Sequence, residues 1–521
     1  MAEANQARRA GGQAPMPHFT GKGAGARALE KVIITMRDMW RTKPIAATET
    51  GSLARVLGAH HLICLGVGTS LGAGLFAITG VAAGQNAGPA ISLAFILAAL
   101  ACALVGLCYA ELSAMFPNAA GSAYSYAYSG IGEGVAWFIG WCLVTGYTVG
   151  MAAIASSWSG YLASFIGRWG LGLDPRFLAA TGTPVTMPDG AAAHAFLNMP
   201  AALIVLAVTV LLFSGTKESS RVNAILVALK VGVIIAFVLA CVPLINTANY
   251  HPYIPANAGQ FGHFGWSGVF RGAALVFFAY IGFDIVASAA CETRNPRRNM
   301  PIGILGSLGV CAVVFSLFSA ILVGVINYKS LALDASPVAT AMNATHMPWL
   351  AETVKAVILV GFLAGLYGLL FSQSRTLFTL AEDGLLPSAF TRLTKNTKSP
   401  WVALATLGGF GAVLAGGFSL DALGSLTSIS VLCAFSIVCL CLTLLRLRNP
   451  DAERPFKVPG GAYLVPGLGL AACLLSIASM GLRTWCALGV VLALGAAIYG
   501  FYGRSHSKLA QQAAEGATQP D

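Results

Sequence analysis

The chain has 521 residues, of which 56% are hydrophobic and only 10% charged, with a mean hydropathy of +0.74. Soluble domains carry about a quarter charged residues, so a water-soluble fold is excluded and a bilayer is the expected solvent. The formal net charge of +11 then reads as basic residues facing an anionic lipid leaflet, and not as a nucleic-acid surface.

Residues 1–28 are Gly, Ala and polar residues without the apolar stretch of a cleavable signal. The first spanning helix is therefore expected to direct insertion. Residues 29–40 set Leu29, Val32, Ile33, Met36, Met39 and Trp40 on one helical face, with Lys31 and Arg37 off it. That pattern predicts a helix lying on the membrane surface, although a poorly ordered basic tail fits the same residues.

Apolar runs of roughly 20 residues, the length that crosses hydrocarbon, then recur along the chain. They predict spans near 60–83, 88–115, 135–166, 199–215, 222–246, 267–290, 301–326, 352–381, 401–418, 423–445, 464–482 and 484–502. The expected fold class is thus an all-α polytopic membrane protein of twelve transmembrane helices. Its parts are a tail over 1–58, a membrane domain over 59–503 and a second tail over 504–521, the last without a visible motif. The runs at 135–166 and 352–381 exceed one bilayer width and must tilt or project beyond it.

An even number of spans puts both termini on one side. That side would hold 24 of the 31 Lys and Arg, the other side six, and Lys230 lies mid-span. The positive-inside rule makes both termini cytoplasmic. Most of the 12 cysteines, among them Cys64, Cys102, Cys311, Cys433, Cys439 and Cys441, fall in apolar segments without metal-ligand spacing, and read as reduced core residues.

The first span carries Gly66, Gly68, Gly72, Gly74 and Gly80 through the bilayer midplane. Glycine there can serve close helix contact, or it can mark a break. The sixth span has a second candidate break at Tyr280, Ile281 and Gly282. Interruptions at corresponding places in two halves point to an inverted-repeat transporter with a midplane site. Freed amides near Gly72 to Leu75 suit a carboxylate, and freed carbonyls near Ser70, Phe278 and Ala279 suit an ammonium. A zwitterion such as an α-amino acid satisfies both.

Lys230 sits in ILVALKVGVIIAFVLA with no acidic neighbour within a turn. At that depth a lysine costs on the order of 3 kcal/mol on insertion scales, so it must face protein or water, or snorkel to the cytoplasm. Desolvation penalises its ammonium form, which would let it trade a proton with solvent as the protein opens to either side. Asp284 and Glu111 are further intramembrane acids, candidates for gating or for plain structural hydrogen bonds. Phe277, Phe278 and Tyr280 could wall a pocket or pack. Adjacent His60 and His61 diverge by about 100° on a helix and make no obvious metal pair. The Gly-rich runs lack the Lys and Ser/Thr of a phosphate loop, and no nucleophile and base pair suggests an enzyme.

Long ordered motifs, GVGTSLGAGLFAITG (66–80), AGPAI, LCYAELSAMFPNAAGSAYSYAY (107–128), RVNAILVALK ending at Lys230, RGAALVFFAYIGFDIVASAACETRNPRRNMPIGI (271–304), SQSRTLFTLAEDGLLP (372–387) and RPFKVP (454–459), resemble the amino acid/polyamine/organocation superfamily, and more narrowly its cationic amino acid transporters. The resemblance implies two inverted five-helix repeats plus two helices, with alternating access around the broken first and sixth spans. It assigns Ser70, Ala73, Gly74, Phe278, Ala279 and Ile281 to the substrate, with Phe278 also resembling a gate, and Lys230 to proton coupling. The break itself adds Gly72 to the substrate-binding candidates, and Tyr280, Asp284 and Glu111 stand as gating or structural candidates. In bacterial members the matching lysine occupies the place of a sodium ion. Two departures stand out. Cys291 precedes Glu292 where relatives often carry a pair of acids, and GWCLVTGYTVG (140–150) lacks an acid that some bacterial relatives carry, which suggests a preference for neutral side chains.

The sequence therefore leads to proton-coupled amino acid uptake across a bacterial-type inner membrane, with the proton as coupling ion, no cofactor and no metal. An amino acid exchanger is the alternative on the same fold, and a non-transporting nutrient sensor a distant one.

Overall fold

Hydrocarbon offers no hydrogen-bond partner to a backbone amide or carbonyl, so a chain this apolar resolves its backbone within helices. The computed structural model describes residues 40–42, 57–116, 123–167, 174–187, 189–213, 220–290, 293–332, 334, 336–395 and 399–516. The surface helix expected at 29–40 lies outside these residues except for Trp40, and Cys291 and Glu292 lie outside them too.

In chain order the helices are α1 (Ala59–Ser70), α2 (Thr79–Ala82), α3 (Ile91–Met115), α4 (Ala123–Gly130), α5 (Glu133–Ile166), α6 (Met199–Phe213), α7 (Ser220–Cys241), α8 (Gly265–Val276) and α9 (Phe283–Ser288). They continue with α10 (Pro296–Val325), α11 (Pro337–Asn343), α12 (Pro348–Glu382), α13 (Trp401–Gly417), α14 (Leu420–Arg448), α15 (Leu464–Ala478), α16 (Leu482–Ile498), α17 (Arg504–His506) and α18 (Lys508–Gly516). Among the described residues eight helices are long and apolar enough to cross a membrane, and α6, α13 and α15 are shorter apolar helices. The chain is a multi-pass membrane protein. A short hairpin, β1 (Pro184–Thr186) with β2 (Ala192–His194), stands in the connection between α5 and α6, with Val185 opposite Ala193. No sequence pattern pointed to it.

Helices pack closely where one of each pair offers a glycine, because small residues let backbones approach in the absence of a hydrophobic drive. A Cβ on Gly146 of α5 would lie 3.0 Å from the Ser430 Cβ of α14, and one on Gly106 of α3 would lie 2.5 Å from Leu308 of α10. Residues 504–516 form two short helices, α17 and α18, and are docked. The Lys508 amide donates to the Asp383 carbonyl at 3.1 Å, and the Ser507 hydroxyl to Glu133 Oε2 at 2.5 Å. Glu133 also receives the Tyr128 and Tyr499 hydroxyls, each at 3.2 Å. The end of α12, the start of α5 and the C-terminal helices thereby share one face of the molecule.

On that face Glu111, wholly buried at the end of α3, holds a long-range ion pair. Arg446 Nε of α14 lies 2.9 Å from Glu111 Oε1, and its Nη2 reaches Oε2. Arg454 Nε stands 3.5 Å away, and the Val458 amide donates to Oε2 at 2.8 Å. Of its two readings, gating or structure, Glu111 here ties α3 to α14 and to the loop that follows it. Removing one partner of a buried pair strands the other charge, at a cost of about 3–5 kcal/mol. Glu111→Gln is expected to lower stability by that order, read as a fall in melting temperature in detergent. The Glu111→Gln/Arg446→Met double variant should recover part of the loss.

Candidate functional site

The first span is interrupted where its glycines lie. Helix α1 ends at Ser70, Leu71 leaves helical geometry with ψ of 81°, and a π-helical turn resumes over Gly74–Ile78 before α2. In an uninterrupted helix the Gly72 amide would donate to the Gly68 carbonyl four residues back. Here it donates to the Ser70 carbonyl at 2.9 Å. The Gly68 carbonyl instead receives the Lys230 ammonium at 2.9 Å. Lys230 reaches it from the middle of α7 and is only 4% exposed, so it points inward and does not snorkel to the surface. A Cβ on Gly361 of α12 would lie 3.0 Å from the Lys230 Cε, so the lysine stem lies in a slot that this glycine leaves open.

The sixth span breaks at the same level. Helix α8 passes into a 3-10 turn over Phe277–Tyr280, Ile281 adopts ψ of 126°, and α9 begins at Phe283. Gly282 has φ of +141°, a left-handed conformation that side chains rarely adopt. A Cβ there would also stand 2.5 Å from the Ser70 and Thr69 hydroxyl oxygens. Gly74 lies directly on the Ala279 backbone, where a Cβ would come within 2.7 Å of the Ala279 amide nitrogen. The two interruptions therefore touch, and glycine at 74 and 282 is what lets them.

Side chains from the surrounding helices satisfy what the breaks release. Asp284 Oδ1 accepts the Gly282 amide at 3.1 Å, and its other oxygen receives the Tyr147 hydroxyl of α5. The Ser428 hydroxyl of α14 donates to the Leu275 carbonyl at 3.1 Å. The Tyr161 hydroxyl of α5 donates to the Phe76 carbonyl at 2.7 Å. The Phe278 carbonyl accepts locally from the Ile281 amide at 3.3 Å.

Ser70, Ala73, Gly74, Phe278, Ala279 and Ile281 are all buried and lie on the two facing breaks, with Gly72 in the first of them. The Phe278 ring stands over Gly150 of α5, where a Cβ would lie 3.1 Å both from its Cε2 and from Thr427 Cγ2 of α14. Tyr280 points away, donating to the Phe95 carbonyl at 3.0 Å, so its hydroxyl anchors the sixth span to α3. Glu111 lies apart, in the ion pair already described. Sequence reasoning missed Tyr147, Tyr161, Thr427 and Ser428, hydroxyl residues whose neighbours in apolar helices include other hydroxyls, so that no pattern sets them apart. Among the described residues no group of three or more His, Cys, Asp or Glu is placed to hold a metal ion.

The sequence profile of the amino acid permease family matches residues 57–501. The branched-chain amino acid permease BcaP of Bacillus subtilis is 38% identical over 468 residues, 90% of this chain and 97% of that one. The methylthioribose transporter of the same organism is 36% identical over 478 residues, 91% of this chain and 100% of that one. The vacuolar cationic amino acid transporter 4 of Arabidopsis thaliana is 38% identical over 402 residues, covering 77% of this chain and 64% of its own length. With its paired helix interruptions and this breadth of similarity, the chain belongs to the amino acid permease family, within the amino acid/polyamine/organocation superfamily.

Proposed function

We propose that the protein is a proton-coupled amino acid symporter working by alternating access. The observation that carries this reading is the Lys230 ammonium on the Gly68 carbonyl, the acceptor that the interruption of the first span releases. A buried cation that completes a broken helix makes the shape of that helix sensitive to the cation's charge, since hydrogen bonds from ionised donors are roughly twice as strong as neutral ones. Loss of the proton on one side of the membrane loosens the first span, and regaining it on the other restores the hold. The proton is the coupling ion, and no cofactor takes part.

The chain crosses the membrane twelve times, as two inverted five-helix repeats plus two helices, with both termini cytoplasmic and the inner membrane as location. An α-amino acid lies between the two breaks, its carboxylate on the amides of Ala73 and Gly74 and its ammonium on the remaining lone pairs of the Ser70, Phe278 and Ala279 carbonyls, as helix ends in interrupted spans suit charged groups. Phe278 gates the site, and Ala73 and Ile281 shape it. Asp284 is a positioning residue, since it holds Gly282 and Tyr147. The side chain of the substrate is neutral and apolar. The third span has no acid between 140 and 150, the Phe278 ring forms one wall, and a full-length relative is named for branched-chain amino acids.

Two variants test this reading in proteoliposomes with radiolabelled amino acids and an inward proton gradient. Wild type is expected to accumulate leucine several-fold above equilibrium and to favour it over lysine. Lys230→Ala should remove the accumulation while expression and folding persist; undiminished gradient-driven accumulation by this variant would sink the coupling role. Gly74→Val, whose side chain meets the Ala279 backbone, should cut uptake at least tenfold. Uptake seen only into amino-acid-loaded vesicles and indifferent to pH would mean exchange in place of symport.

A further inference from the structure

On the face opposite the C-terminal helices, at the start of α12, lies a cavity of about 460 Å³ that the transport site does not use. That volume falls within the roughly 300–1,000 Å³ of small-molecule sites. Its walls include Ser164 of α5, Met342 of α11, and His346, Met347, Glu352 and Lys355. Lys355, which the charge count placed among the outer cations, is 2% exposed and lies in the second turn of α12.

The Lys355 ammonium donates to Glu352 Oε1 at 3.0 Å. It reaches the Ser164 carbonyl, in the last turn of α5, only at the 3.5 Å limit. An ammonium has three donors, and the third has no acceptor among the described residues. Support for the C-terminus of α5 explains one contact and leaves that donor over. A buried charged donor without a partner is costly, and here it borders an open cavity.

We infer that this cavity is a second binding site for a free α-amino acid. The third donor of Lys355 takes the carboxylate, Glu352 takes the ammonium, and Met342 and Met347 receive an apolar side chain. A plain anion fits less well, because the Glu352 carboxylate stands 3.0 Å from the ammonium and repels it, whereas two opposite charges side by side match a zwitterion. The site is also joined to the first span. Met342 is on α11, whose Val338 amide donates to the Tyr161 hydroxyl at 3.3 Å, and that hydroxyl bonds the Phe76 carbonyl just beyond the break. The inference rests on the proposed transport of amino acids and adds a second place where the substrate is held.

Equilibrium binding to the purified full chain in lipid nanodiscs, with radiolabelled leucine, methionine, lysine and arginine in turn, gives the number of molecules held per chain at saturation. Two are expected for any amino acid that binds wild type. One is expected for Lys355→Met and for Asn343→Trp, the latter adding bulk at the exposed rim without touching the ion pair. One molecule per wild-type chain, or two on either folded variant, would overturn the second site while leaving transport through the central site standing. If folded wild type bound none of the four, the transport reading would fall with it.

Discussion

A backbone group freed inside a bilayer must find its partner within the protein, and the first span frees one at the centre of the molecule. The Gly72 amide turns to Ser70, and the Gly68 carbonyl it abandons is taken by Lys230 from a helix distant in sequence. The Phe76 carbonyl, on the far side of the break, draws the Tyr161 hydroxyl. In the sixth span Asp284, Tyr147 and Ser428 do the corresponding work. The interrupted helices are thus held by side chains of α5, α7 and α14. That arrangement suits the alternating access proposed above.

Two glycines make the contact between the breaks, for different reasons. Gly74 is needed for closeness, since any side chain would meet the Ala279 backbone. Gly282 is needed for conformation as well, at φ of +141°. Between them the two spans bring polar backbone from opposite halves of the chain into one buried place, the place proposed above for the α-amino acid. Beside the breaks the Phe278 ring and Thr427 meet over Gly150, whose missing side chain leaves room for both.

The helices were legible because a bilayer permits little else: each predicted span falls on an observed helix within a few residues, apart from the interruptions in the first and sixth. Those interruptions were legible too, since Gly66 to Gly80 and the Tyr280 to Gly282 run stand out in apolar surroundings. Lys230 announced itself as a lone charge at depth. The partners did not. The acceptor of Lys230 is a backbone carbonyl, which no sequence pattern marks, and Arg446 lies 335 positions from Glu111. Tyr280 was read as a pocket wall, a gate or a structural residue, and its hydroxyl goes to the Phe95 carbonyl, a direction that only the tertiary fold sets. Lys355 was not singled out, because it stands near the predicted start of its span, 352–381, and was counted only as one of the six cations on the outer side. Burial against α5 is a property of two helices together.

If Lys230 carries the coupling proton, amino acid influx and proton influx are one event. Pyranine trapped inside proteoliposomes reports that directly when leucine is added outside at equal pH on both faces. Internal acidification that rises in step with leucine uptake, and is lost in Lys230→Ala, is the expected result. Leucine uptake by wild type with no change in internal pH would contradict it.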